Sequence, residues 1–413
     1  VFKLTKRRVL IDRLVYDPQV MQAVEDHCLD TGEPHAVALE KVERYAHEIV
    51  PSFNAYVYFR LGTWLSKSVA RLLYRVRLGA TNTQSINTLD PNASIVFVMN
   101  HRSNMDYILL AHLVSDQVAL SYAVGEWARI WPIQQLIQLM GAFFVRRGSG
   151  NTLYRRVLER YVQMATEHGV VQAMYPEGGL SRDGALREPK IGLLDYMLRQ
   201  FDPQAERDLV FLPIGVNYDR VLEDRTLLRS LDENAPKVSR WQAFKRTLGF
   251  VWHNVRLSMR GGWHRFGYAV VHFGVPISAR EYTQQNEINW KTLERSERIA
   301  LVQQFANTLM QSVAASVPTV PVALVSTVFM HHPEQALSHL ELKAKTQAVI
   351  EQLRERNAPV YIPRQSDEYT IDFGLQSLVL RRMITEINGL YRVNPKNELL
   401  LRYYANSIGH YLG

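Results

Sequence analysis

Short, continuous apolar runs punctuate the middle of the chain, separated by segments whose apolar positions recur at helical spacing. Ile95-Val96-Phe97-Val98-Met99, Val118–Val124, Gly141–Val145, Val170–Tyr175, Leu209–Val216 and Tyr268–Pro276 are too short for helices, and they read as buried strands. Between the earlier runs, Tyr107–Ala111, Trp127–Met140 and Thr152–His168 carry the helical period. Strand and helix in alternation imply an α/β sheet covered by helices. The flanks read differently. Gln19–His27 and Ala36–Val50 are helical by spacing. Ala55–Arg77 predicts one long amphipathic helix in which Arg60, Lys67, Arg71, Arg75 and Arg77 occur without an acid. Downstream, Trp290–Val317, Glu334–Arg356 and Leu375–Leu390 predict further helices. The predicted organisation is a helical region over 1–80, an α/β domain over 81–325 and a helical region over 326–413.

Chemistry collects where the strands end. The run Val96–Met99 leads straight into Asn100-His101, and Asp106 follows five residues after the histidine, one turn into the next helix. Ser103 and Asn104 are good N-cap residues for that helix. An imidazole at a strand end can take a proton from a hydroxyl, and a carboxylate behind it can fix its tautomer. Two other strands end in Arg146-Arg147 and in Glu177-Gly178-Gly179-Leu180-Ser181-Arg182. If the strands run parallel, these ends meet on one side of the sheet. Arginine forks and a glycine turn there would clamp a phosphate. A base with an orienting acid beside a phosphate clamp describes proton removal from the hydroxyl of a phosphorylated alcohol.

The chain has 413 residues, 47% of them hydrophobic and 21% charged, so it is globular rather than disordered. Its one cysteine, Cys28, excludes an internal disulfide and favours a reducing compartment. No metal-ligand cluster, nucleophile elbow or phosphate loop of the Walker type is present in the sequence, and no metal is expected. The net charge of +8 points to a polyanionic partner. Between Ala235 and Arg280 there is no acid at all, while Trp241, Trp252 and Trp263 interleave with Arg240, Lys245, Arg256 and Arg265. This insertion, about 235–266, has the make-up of an interfacial anchor on anionic lipid; binding of single-stranded nucleic acid is the weaker alternative. No apolar run reaches the ~20 residues of a spanning helix. No basic-plus-apolar leader follows Val1, which reads as a cut or processed end.

The polar strand ends together resemble a known family. N-H-R-S-N-M-D at 100–106, G-A-F-F-V-R-R at 141–147, Y-P-E-G-G-L-S-R-D-G at 175–184 and F-L-P-I-G-V at 211–216 are similar, in order, to blocks I to IV of the glycerolipid acyltransferases. Their wording, with L-L-R-Y-Y-A-N-S-I-G-H at 400–410, resembles the branch that acylates glycerol 3-phosphate and dihydroxyacetone phosphate. Leu180 is a departure, since the family commonly carries arginine there; this opens dihydroxyacetone phosphate and lysophosphatidate as alternative acceptors.

The resemblance implies an α/β fold with a central mixed sheet flanked by helices. It implies a glycerol-3-phosphate 1-O-acyltransferase in which His101 is the general base and Asp106 orients it. Arg146, Glu177, Gly178, Ser181, Arg182 and Lys190 would bind substrate, supported by Arg102, Ser103, Arg147 and Gly179. No cofactor is expected beyond acyl-CoA or acyl-carrier protein as co-substrate. The expected partners are these donors, glycerol 3-phosphate and an anionic phospholipid surface, with peripheral attachment to the cytoplasmic face of the inner membrane. A non-catalytic basic protein docking on anionic membrane is the alternative of another class.

Overall fold

A computed structural model describes residues 7–54, 56–79, 89–114, 121–124, 143–146, 150–231, 249 and 266–413. The basic Trp-rich segment before Phe266, the helix predicted over Trp127–Met140 and Arg147 lie outside these residues.

Three helices open the chain: α1 (Arg7–Val15), α2 (Pro18–Thr31) and α3 (His35–Ile49). Asp17 caps α2, its carboxylate accepting from Gln19 N at 3.0 Å, with Pro18 pre-set at the first helical position. A π-helical turn (Val57–Gly62) runs into α4 (Thr63–Leu73). The helix predicted to Arg77 stops there. Arg75–Leu78 is strand β1 of the central sheet, so the N-terminal helical region ends before residue 80. The R-V-R-L stretch lies at the sheet edge, and its arginines prolong the basic spacing of the helix before it, which hides the change of period.

The sheet continues through β2 (Ser94–Met99), which leads into α5 (Met105–Val114), then β3 (Ser121–Val124) and β4 (Phe143–Phe144). After α6 (Thr152–Glu167) come β5 (Gln172–Met174), α7 (Gly192–Leu198), β6 (Leu209–Tyr218) and α8 (Asp224–Arg229). Strands β7 (Tyr268–Phe273) and β8 (Ile277–Ser278) complete it. Among the described residues the order is β1-β7-β6-β2-β5-β3-β4, with β8 also on β6. Strands β2 to β6 run parallel to one another, while β7 and its partner β1 run the other way. The sheet is therefore mixed. The C-terminal ends of β2, β5 and β6 share one edge with the N-terminal ends of β7 and β1.

Alternation along the strands divides the core. Phe97, Met99, Leu212, Ile214 and Val216 face one apolar cluster; Val96, Val98 and Phe211 face the other. The second is closed by α1–α3, α6, α7 and, after α9 (Ala279–Gln285), by α10 (Arg295–Ser316). The first is closed by α4, α5 and the C-terminal helices α11 (Pro321–His331), α12 (His339–Glu355), α13 (Asp367–Leu380) and α14 (Glu398–Gly409). A boundary at 325 would cut α11, which is buried from Pro321 to Phe329. The helix predicted over Leu375–Leu390 ends at Leu380. Strands β10 (Ile384–Ile387) and β11 (Leu390–Val393) follow as a hairpin that joins β9 (Leu337–Ser338). Its turn, Asn388-Gly389, has positive φ at both residues (52° and 75°), the geometry that this dipeptide favours.

Candidate active site

Asn100 fixes the place where the chain leaves the sheet. Its side chain continues the ladder beyond β2, donating to Val216 O at 2.9 Å and accepting from Val216 N at 2.8 Å. The next residues turn away as a loop whose backbone donors are all satisfied. His101 N donates to Glu177 Oε1 (2.8 Å), and Arg102 N and Ser103 N donate to Asp106 Oδ2 (2.8 and 3.0 Å). Asn104 N reaches Glu223 Oε1 (3.3 Å), and Met105 N reaches Ser103 Oγ (3.1 Å). Asp106 N closes the turn on Ser103 O at 3.0 Å. A loop buried this deeply is tolerable only because its backbone donors are paired.

At its centre, His101 Nδ1 lies 2.9 Å from Asp106 Oδ2, and both side chains are almost wholly buried. The Tyr218 hydroxyl donates to the other oxygen, Oδ1. Asp106 thus accepts four donors, so the proton between it and His101 sits on Nδ1. Nε2 then carries the lone pair, and it has no hydrogen-bond partner among the described residues. The ring is held between Tyr175, nearly stacked at 4.1 Å, and the edge of Tyr107 at 5.5 Å. An imidazole so placed can accept a proton, and its imidazolium would face a buried carboxylate.

The turn after β5 is laced to this loop. Ser181 N donates to His101 O at 2.9 Å, and Glu177 Oε2 accepts from Arg187 N at 3.2 Å. Burial raises the Glu177 carboxyl to about 7, against the pull of the His101 N–H and the Arg102 charge. Ser181 Oγ donates to Ala185 O (2.7 Å) and accepts from Gly184 N (3.1 Å). Expected to touch substrate, the side chains of Glu177 and Ser181 instead have their bonds inside the protein, where they shape the loop. Gly178 adopts φ 66° with the aliphatic stem of Lys190 packed over it, and Lys190 N bonds Pro176 O at 2.8 Å. Gly179 is buried in the turn, and the exposed Arg182 and Lys190 flank it.

Arg102 is buried, donating through Nη1 to Gly184 O, with its guanidinium 4.7 Å from the centre of the Tyr403 ring. Ser103 Oγ donates to Glu223 Oε2 at 2.7 Å, and burial pushes the Glu223 carboxyl up to about 7. Arg146 is placed elsewhere than the sequence suggested. It forms a two-pronged pair with Glu48 of α3 (2.9 and 2.5 Å) between the rings of Tyr45 and Tyr154. Its strand, β4, is separated from β2 by β5 and β3. Sequence reasoning missed Asn100, Tyr175, Tyr218, Glu223 and Tyr403. Asn100, Tyr175 and Tyr403 lie inside the quoted motifs, whereas Tyr218 and Glu223 carried no local signal. Among the described residues no three His, Cys, Asp or Glu side chains are grouped as metal ligands.

Residues 79–217 match the family model described as Acyltransferase, and residues 256–412 match the glycerol-3-phosphate acyltransferase C-terminal region. Both segments liken the chain to the glycerol-3-phosphate acyltransferases. It is similar to the glycerol-3-phosphate acyltransferase of Xylella fastidiosa strain M23, 27% identical over 420 residues, covering 98% of this chain and 47% of that protein. The enzyme of the same name from Pseudomonas aeruginosa strain LESB58 is 28% identical over 423 residues, 98% of this chain and 49% of its own. The chain therefore spans about half the length of the curated relatives it matches. A crystal structure of the 1-acyl-sn-glycerophosphate acyltransferase PlsC from Thermotoga maritima aligns with 61% of this chain and 78% of its own. At 16% identity and a TM-score of 0.35, that likeness says nothing about individual residues.

Proposed function

We propose that this chain transfers a fatty acyl group from acyl-CoA or acyl-carrier protein to the sn-1 hydroxyl of glycerol 3-phosphate, giving 1-acyl-glycerol 3-phosphate. The observation that carries this reading is a buried imidazole with Nδ1 tied to Asp106 and Nε2 unbonded, in a chain that matches these two family models. His101 Nε2 takes the proton of the acceptor hydroxyl as its oxygen attacks the thioester carbonyl. Asp106 stabilises the imidazolium. The tetrahedral intermediate collapses with loss of the carbon–sulfur bond, and the thiolate leaves with the proton from His101. Arg182 and Lys190, exposed beside the Gly178-Gly179 turn, would receive the acceptor phosphate. Arg146 would have to exchange Glu48 for the substrate to join them.

An anionic membrane surface on the cytoplasmic side is the partner that fits a lipid product. Tyr56 (72% exposed), at the start of the π-helical turn, and Trp64 (64% exposed), on α4, stand in company with Arg60, Lys67 and Arg71. Among the described residues no helix is long and apolar enough to cross a membrane.

The test offers palmitoyl-CoA and palmitoyl-carrier protein to the purified chain with anionic vesicles. Glycerol 3-phosphate, dihydroxyacetone phosphate and 1-acyl-glycerol 3-phosphate are supplied in parallel, with His101→Ala alongside. Turnover of glycerol 3-phosphate, abolished in the variant, is expected. Turnover of the lysolipid alone, or an unimpaired variant, would overturn the assignment.

A further inference from the structure

A cavity of about 450 Å³ opens at the same sheet edge as His101, but beside β6, β7 and β1 rather than at the end of β2. Asp219 and Arg220, directly after β6, form one wall; Arg75, the first residue of β1, and Phe266, just before β7, form another; Phe373 and Arg381 close it from α13 and the residue after it. Three guanidinium groups thus share one space. Arg381 is paired, donating to Asp224 and to the Tyr404 hydroxyl. Arg75 has only phenolic oxygens, Tyr268 and Tyr369, each at 3.4 Å. Arg220 lies over the Phe266 ring at 4.0 Å, and no oxygen among the described residues accepts from it. Asp219 accepts from Tyr268 N (2.7 Å) and Val322 N (3.0 Å), and among the described residues no hydrogen bond joins it to Arg75 or Arg220. Burial, and then repulsion from Arg381, lower the Arg220 proton affinity from its ordinary value. A partly desolvated guanidinium without an acceptor, as Arg220 is, beside two further cations is costly unless an anion enters, and fork-shaped donors suit a phosphate ester.

Position decides which phosphate. Glycerol 3-phosphate is three carbons long, so its phosphate must stay close to the hydroxyl that meets His101. Adjacent strands are about 4.8 Å apart, which puts a cavity spanning β6 to β1 on the order of 10 Å to the side of β2. A carrier thioester has the matching shape, since its phosphate and its reactive carbonyl occupy opposite ends of a pantetheine arm. We infer that Arg220, with Arg75 and Arg381, binds the phosphate ester at the head of the acyl donor's pantetheine arm, the group that coenzyme A and acyl-carrier protein share. This rests on the reading of the chain as a thioester-dependent acyltransferase.

Calorimetric titration reads the site without turnover. The full chain and its Arg220→Gln and Arg75→Gln variants are titrated with coenzyme A, glycerol 3-phosphate and inorganic phosphate, and their binding to phosphatidate-containing vesicles is measured. Coenzyme A affinity is expected to fall at least tenfold in Arg220→Gln and by a smaller factor in Arg75→Gln, with glycerol 3-phosphate affinity unchanged. The KM for palmitoyl-CoA should rise in step, with the KM for glycerol 3-phosphate constant. Should Arg220→Gln melt early, Arg75→Gln carries the test. Unchanged coenzyme A affinity in both variants would overturn the inference, as would wild-type protein binding coenzyme A no more tightly than inorganic phosphate. A loss confined to vesicles would give the site to a lipid headgroup and overturn it too. Coenzyme A binding that depends on Arg220 in a chain without acyl transfer would keep the site and remove the enzymatic reading instead.

Discussion

Replacing Asp106 with asparagine separates the charge of this carboxylate from its shape. Oδ2 accepts from three N–H donors, so the asparagine oxygen must take that position; the reversed amide would set an NH2 group against all three. The amide nitrogen then faces the Tyr218 hydroxyl, which can accept where it formerly donated. Each of the four partners keeps one hydrogen bond to residue 106, His101 keeps its Nδ1–H tautomer, and stability should change by less than about 1.5 kcal/mol. What disappears is a negative charge beside the developing imidazolium. With ~4 Å between the charges and an effective dielectric near 20, that interaction is about 4 kcal/mol. At about 1.4 kcal/mol per decade, kcat should fall roughly a thousandfold. Asp106→Ala is the contrast. It strands three N–H groups and a hydroxyl in the interior, so about 3 kcal/mol or more of stability should go with the activity. Initial rates with glycerol 3-phosphate and palmitoyl-CoA, together with denaturant titrations, measure both quantities. If Asp106→Asn keeps more than about a tenth of wild-type kcat, the electrostatic role is refuted. If it unfolds as easily as Asp106→Ala, the separation of charge from shape is refuted.

Two further outcomes follow from the surroundings of the loop. At Gly184 the backbone has φ 91°, and a Cβ there would lie 1.9 Å from Tyr403 O, a backbone atom that cannot swing aside. Gly184→Ala should therefore cost about 3 kcal/mol or more, and a wild-type denaturation midpoint would contradict this. Glu223 holds its proton to about pH 7 in the fold, against 4.5 in the unfolded chain. The folded state binds more protons between those values, so this contribution to stability is complete below about 4.5 and is lost as pH rises to about 7. Glu177 and Asp219, also raised to about 7, act in the same direction. Thermal melts from pH 5 to pH 8 should show a shallower decline in Glu223→Gln than in wild type; equal slopes would exclude Glu223 as a source.

The α/β class was legible because its central strands are buried on both faces. A run such as Ser94–Met99 or Leu209–Val216 has no polar face to disguise it. The pairing of His101 with Asp106 was legible because both belong to one loop, so local spacing determines their distance. Tyr218 and Glu223 were not. They reach the same loop from the last residue of β6 and from just after it, more than a hundred residues away in sequence, and only the β2–β6 register brings them there. Glu177 was found as a conspicuous acid at a strand end, but nothing local shows that the backbone amides of His101 and Arg187 face it. Arg146 shows the same limit, since its partner Glu48 comes from a helix that no local pattern ties to β4. The hairpin at 384–393 had its own signal in Asn388-Gly389, overridden by the helical spacing that runs up to it.

The two family matches, over 79–217 and 256–412, describe segments that are physically one unit. Helix α14 is a wall of the candidate site: Tyr403 supports both Arg102 and Gly184, and Asn406 Nδ2 donates to Asp183 O at 2.9 Å. The same helix holds the strand that carries Tyr218. Asn217 Nδ2 donates to Ser407 Oγ at 3.1 Å, and Val221 N to the Tyr404 hydroxyl at 3.0 Å. Removing the chain after residue 325 would cut α11, strip α12–α14 from one face of the sheet, and take the Tyr403 ring from Arg102. The loop that sets His101 against Asp106 depends on contacts from residues 398–409, so the C-terminal segment belongs to the architecture of the candidate site rather than to a separable appendix.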